Sequence, residues 1–133
     1  MAVTAADDAE RVVVVNQPLE VAGRVLYGAP FAVFGAMHLA MGSAMAGAVP
    51  SFAPGGGTLW IYVTGIAMLA AAVSIVTNLM TRISGILLAV LMLLFAFTLH
   101  LPPFLAGEQM ELPSILKNTA LAGGALLVAA RGR

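Results

Sequence analysis

The chain has 133 residues, 61% of them apolar and 9% charged, with no cysteine and a mean hydropathy of +1.01. Soluble domains carry roughly 25% charge, and disordered segments combine low hydrophobicity with high net charge, so both classes are excluded. Six basic and six acidic residues cancel, and without a basic run or a cysteine, nucleic-acid binding, thiol chemistry, disulfides and iron–sulfur clusters are excluded too.

What remains is one small all-α membrane domain, in which each spanning helix needs about 20 mostly apolar residues. In chain order, residues 1–23 read as a cytoplasmic tail. Asp7, Asp8 and Glu10 precede any basic residue, and no apolar core leads to a small-residue cleavage site, so no cleavable signal is expected. Val12 to Val15 is β-prone and too short to span, while Asn16-Gln17-Pro18 reads as a helix start, because Pro is tolerated in the first turn. A first span is expected over about 24–47, interrupted by His38 and by Pro30, which removes a helical hydrogen bond and is expected to kink it. The second, about 59–79, has no charge, and the third, about 83–101, is apolar all round at its centre. A fourth, about 113–130, is charge-free only from Thr119 to Ala130, so Lys117 and Asn118 must be drawn into the membrane to complete it.

The connections predict an antiparallel bundle of four transmembrane helices. Met80-Thr81-Arg82 makes a tight basic turn, and Arg11, Arg24, Arg131 and Arg133 flank the chain ends. The positive-inside rule then places both termini in the cytoplasm. The opposite face receives the Pro- and Gly-rich loop from Val49 to Thr58, where Gly55-Gly56-Gly57 is a flexible turn, and the loop from Pro102 to Leu112 with Glu108 and Glu111. Because lipid is as apolar as leucine, such helices associate through small residues. Gly28, Gly35, Gly42 and Ala46 supply them in the first helix, Ala67, Ala71 and Ser74 in the second, and Ala122 to Ala125 in the fourth. The same rows would serve a homodimer.

Ionisable groups inside a span are costly and point to function. At 1.5 Å per residue, His38 lies about 21 Å from the level of Arg24, Lys117 about 21 Å from Arg131, and His100 about 27 Å from Arg82; Tyr62 and Thr64 fall at about 27 to 30 Å. His38, Tyr62, Thr64, His100, Lys117 and Asn118 are therefore expected to form a polar pocket in the outer half. Each also has a plain structural reading. His100 before Leu101-Pro102-Pro103 ends a helix, His38 makes a local hydrogen bond, Lys117 snorkels toward Glu111 or lipid headgroups, Glu108 and Glu111 are solvated loop charges, and Trp60 and Tyr62 belong to an aromatic belt. For a ligand, a quinone fits this pocket better than a b-type haem, because the two histidines differ in depth by about 6 Å and no second pair exists. No catalytic triad, HExxH or phosphate loop is present, so no metal site and no stand-alone catalysis are expected.

Val49-Pro50 with Pro54, Trp60-Ile61-Tyr62-Val63-Thr64-Gly65-Ile66-Ala67, the Thr81-Arg82 turn, His100-Leu101-Pro102, and Asn118-Thr119-Ala120-Leu121-Ala122-Gly123-Gly124-Ala125 follow one another in an order that resembles the DoxX family of small four-helix bacterial membrane proteins. The likeness covers roughly residues 24–130. It implies the bacterial cytoplasmic (inner) membrane and a link to quinone reduction or to membrane oxidoreductase assemblies, with His38, Tyr62 and His100 as the favoured positions. The leading expectation is a redox-associated subunit that binds a quinone and works with a partner oxidoreductase. A permease for a small solute, gated by the first helix and the Gly-rich loop, and a non-catalytic scaffold subunit are the alternatives.

Overall fold

The computed structural model of the protein describes residues 4–132, and side chains throughout that range except at 11–15. Arg133 and the side chain of Arg11, two of the five arginines used to orient the chain, lie outside the described residues. The described residues form helices joined by short loops, with no strand. Three helical stretches are long and apolar enough to cross a membrane: Gly57–Thr77, Thr81–Leu105 and Gln109–Arg131, of 21, 25 and 23 residues. A bent pair, Asn16–Ala40 with Gly42–Ala48, adds a fourth if it counts as one span.

Helix α1, Ala5–Ala40, starts well before the expected position at Asn16 to Pro18. The cause is a capping box: the Thr4 hydroxyl accepts from the Asp7 N–H at 3.3 Å, and the Thr4 N–H donates to the Asp7 carboxylate at 3.2 Å. Two orphan donors at the helix start are thereby satisfied. Once nucleated, the helix runs through the β-prone Val12 to Val15 and through Pro18 and Pro30. The sharp break is therefore not at Pro30. It falls at Met41, whose φ of −115° and ψ of 17° end α1, and the short helix α2, Gly42–Met45, leaves with its 3₁₀ extension at 96° to α1. Gly42 is buried at this elbow, where an added Cβ would meet the Tyr62 ring at 2.5 Å.

Helix α3, Gly57–Thr77, begins after a loop fastened by the Trp60 indole N–H, which donates to the Pro54 carbonyl at 2.7 Å. A tight turn leads to α4, Thr81–Phe95, with Asn78 and Met80 both in the left-handed region at φ 57° and 52°. Asn tolerates that conformation, whereas a larger side chain costs about 1 kcal/mol or more there. The Ser74 hydroxyl donates to the Leu79 carbonyl, Ser74 and Ser84 hydroxyls are 2.6 Å apart, and the fully buried Thr81 hydroxyl donates to the Ser74 carbonyl and to Asn78 Oδ1, both at 3.2 Å. Met80 is largely exposed, so little of its packing would be lost. Met80→Gly is expected to stabilise the protein by about 0.5–1 kcal/mol, relief of the left-handed strain outweighing glycine's larger unfolded-state entropy. A higher midpoint of detergent-induced unfolding checks this; a lower midpoint would refute it.

The third span does not stop at Leu101. After α4 the chain makes a π-helical turn, Ala96–His100, and continues as α5, Leu101–Leu105. Pro102 and Pro103 have no N–H to offer the Thr98 and Leu99 carbonyls, and their rings would press on them, so the preceding turn widens by one residue and the helix carries on. Helix α6, Leu112–Arg131, agrees within two residues with the expected fourth span.

The packing is pairwise, α1 chiefly against α3 and α4 chiefly against α6, with a thinner seam between α3 and α4. Each helix buries one stripe at helical spacing. Gly28, Phe31, Gly35 and His38 on α1 meet Ile61, Gly65, Met68, Ala72 and Ile75 on α3; Gly85, Leu88 and Met92 on α4 meet Asn118, Ala122, Ala125 and Ala129 on α6. Gly65 and Ala72 replace part of the row expected on the second helix, where Ala67 is exposed. The outward faces carry large exposed apolar side chains such as Leu26, Val73, Leu87 and Leu127. Such continuous coverage is what a lipid-facing surface requires.

Candidate functional site

Gly35 and Gly65 bring α1 and α3 so close that an added Cβ on Gly35 would lie 2.7 Å from the Gly65 carbonyl oxygen, and one on Gly65 would lie 2.7 Å from the His38 Cβ. This close crossing presses His38 inward, one turn beyond Gly35. His38 is buried, and its Nδ1–H donates to the Phe34 carbonyl at 2.7 Å. A carbonyl can only accept, so in the neutral ring the lone pair sits on Nε2. The local hydrogen bond is present, and it leaves the other nitrogen available rather than exhausting the ring.

His100 closes the π-helical turn and faces the 3₁₀ turn Gln109–Glu111 across the corner between α5 and α6. Its Nδ1–H donates to the Glu111 carboxylate at 2.7 Å, with both side chains about three-quarters buried. Glu111 is therefore no solvated loop charge. It orients the imidazole, again leaving Nε2 as the open ring position. A one-residue insertion at a π turn commonly re-aims side chains at functional sites, and here it stands immediately before the tandem prolines.

His38, His100, Lys117 and Asn118 line a single cavity of about 330 Å³. Its walls are Phe31, Phe34, Phe95 and Leu99, together with the soft side chains of Met37, Met45, Met68 and Met92. Asn118 occupies a place on the buried stripe of α6 that alanines fill farther along. It is 5% exposed, and its amide makes no hydrogen bond among the described residues. Lys117 is exposed at the rim and forms no ion pair among the described residues, so of the two expected partners Glu111 is not the one it reaches; His100 holds that carboxylate.

Tyr62 and Thr64 are not part of this cavity. Tyr62 is exposed and stacks on Gly42 at the α1–α2 elbow. The Thr64 hydroxyl donates back to the Trp60 and Ile61 carbonyls of its own helix, at 2.8 and 3.1 Å. A residue count along the helix axis carries no information about rotation, and these two side chains are turned to the elbow and to their own backbone. Glu111 and the methionines were not anticipated. Nothing in the sequence ties Glu111 to His100 eleven positions earlier, because the contact depends on the corner between two helices.

The cavity combines the unengaged Nε2 of His38, the donors of Asn118 and Lys117, a carboxylate-held imidazole, and an apolar aromatic and thioether wall. Such a set suits a small, largely apolar molecule with polar atoms at its ends. No group of three or more His, Cys, Asp or Glu residues able to hold a metal occurs among the described residues.

Residues 27–104 match a family described as "Domain of unknown function (DUF8561)", and the match covers more than half of the chain. The chain belongs to this family. No curated protein and no solved structure matches it. The DUF8561 stretch contains His38, Tyr62, Thr64 and His100, while Glu111, Lys117 and Asn118 lie beyond its end.

Proposed function

We propose that the protein is a DoxX-like subunit of the bacterial cytoplasmic membrane, an antiparallel bundle of four spans with both ends in the cytoplasm, that holds the head of a quinone in the His38–His100 cavity for a partner oxidoreductase. One observation carries this reading. Both imidazoles spend Nδ1 on a protein partner and share a cavity with the Asn118 amide, which makes no hydrogen bond among the described residues. A volume of about 330 Å³ is at the small end for ligand pockets and fits a single substituted ring whose tail lies among lipid chains. Asn118 and Lys117 donate to carbonyl oxygens, whereas His38 Nε2 accepts from a hydroxyl, so the oxidised and reduced heads each find a partner.

The test is retention and binding. Protein extracted in mild detergent is expected to carry quinone in its lipid extract and to bind a short-tailed quinone analogue in calorimetry. His38→Ala with His100→Ala is expected to lower that affinity at least tenfold, about 1.4 kcal/mol. Wild-type protein that neither retains nor binds quinone, or a double variant that binds as tightly as wild type, would refute the reading. The 96° break at Met41 favours a second reading, transport of a small solute, since broken helices commonly line transport sites. Uptake into proteoliposomes, abolished by Gly42→Val at the elbow, is the result that reading requires.

A further inference from the structure

A second cavity, of about 850 Å³, opens at the other end of the molecule, between α1 and α6 and beside the turn joining α3 to α4. Its chemistry differs from that of the first. Arg24 of α1 and Arg131 of α6 face it from opposite walls, with Gln17 and Asn78 between them. The Arg24 Nε is buried and has no hydrogen-bond partner among the described residues. The nearest carboxylate oxygen, on Glu20, is 3.9 Å from another nitrogen of the guanidinium, too long for a hydrogen bond. Asn78 spends its carbonyl oxygen on the Thr81 hydroxyl, which leaves its NH₂ as the free end. Arg131 by itself is explained by the last turn of α6, where a cation meets the negative end of the helix dipole. A helix end does not explain a buried, unspent guanidinium donor on the facing wall.

The cleft is therefore rich in donors, two guanidinium groups and the Asn78 NH₂, beside the amides of Asn16 and Gln17, with Glu20 as its one acid. The remaining walls, Leu19, Leu127 and Val128, are apolar and continue along the outward faces of the helices. We infer that this cleft binds the phosphodiester headgroup of an anionic phospholipid, the arginines gripping the phosphate oxygens while an acyl chain lies along Leu127 and Val128. Arginine pairs the oxygens of a phosphate in a two-pronged fashion that matches its fork of donors. In the orientation proposed above the position also suits the ligand, because basic pockets between helices at the cytoplasmic surface are where anionic headgroups are captured. Glu20 at the edge favours a singly charged diester over a doubly charged phosphate monoester. This inference is independent of any ligand in the His38–His100 cavity.

The test uses full-length protein in a neutral detergent, titrated separately with phosphatidylglycerol, phosphatidylcholine and inorganic phosphate, and read by native mass spectrometry and thermal unfolding. Phosphatidylglycerol is expected to bind one-to-one and to raise the unfolding midpoint, and the other two are expected to do neither. Arg24→Gln and Arg131→Gln should each weaken phosphatidylglycerol binding about tenfold. Should Arg24→Gln fold poorly, Asn78→Asp serves in its place, since Asp tolerates the left-handed turn and puts a negative charge into the cleft. Equal binding of phosphatidylcholine, undiminished phosphatidylglycerol binding by the folded variants, or an equal response to inorganic phosphate would each overturn the assignment, the last by showing a free-phosphate site.

Discussion

Gly65→Ala is expected to destabilise the protein by about 2 kcal/mol, among the largest effects available from a single added methyl group. The new Cβ would sit 2.7 Å from the His38 Cβ and 3.1 Å from the Gly35 carbonyl oxygen, so α1 and α3 must separate at the crossing where both are most closely packed. Membrane helices gain little from a hydrophobic effect between one another, so a lost close approach is not recovered elsewhere. Gly35→Ala acts on the same crossing, its Cβ meeting the Gly65 carbonyl and Leu69 at 2.7 Å each, and should cost a similar amount. Because the two residues share one contact, the double variant should lose less than the sum of the singles. Gly123→Ala is the control: nothing lies within 4 Å of its Cβ, and it should be neutral or mildly stabilising. Unfolding midpoints in mixed detergent micelles measure all four variants; an unchanged midpoint for Gly65→Ala would refute the close crossing. Displacement of His38 is the accompanying functional effect.

Asn118→Leu is expected to do the opposite on stability, raising it by about 1–2 kcal/mol, while removing an amide from the cavity. The side chain is 5% exposed on a stripe otherwise made of Ala122, Ala125 and Ala129, and its amide has no partner among the described residues. An apolar residue there matches the rest of the stripe and leaves no amide turned into a mainly apolar cavity. A site kept for a ligand shows this opposition between stability and activity. The paired measurements are the unfolding midpoint and the affinity for a quinone analogue, the first expected to rise and the second to fall. A variant that is less stable would show that the amide contributes to the packing of α4 against α6, which would remove Asn118 from the ligand-binding set.

Much of the architecture was legible because its cause is one-dimensional. The uncharged stretch after Gly57, the apolar run after Arg82 and the row of small residues in the last helix need only length and hydropathy to be read as spans, and their observed limits differ from the expected ones by a few residues. Departures occurred where a local interaction overrode composition. The Thr4–Asp7 capping box started α1 early, the sharp break fell at Met41 rather than at Pro30, and the π-helical turn carried the third span past the prolines.

The site divides along the same physical line. Rise per residue places His38, His100, Lys117 and Asn118 near one level, and that level is where the cavity lies. Depth says nothing about rotation around a helix axis, which is why Tyr62 and Thr64, expected in the same layer, face the elbow and their own backbone. The sequence by itself determined that this is an apolar helical chain with a few polar groups at one depth, since burial in lipid depends on composition over about 20 residues. Only the tertiary structure decided that Glu111 holds His100, that Gly65 seats His38, and that Arg24 faces Arg131, because each contact joins helices whose rotation and crossing are set by packing rather than by order along the chain.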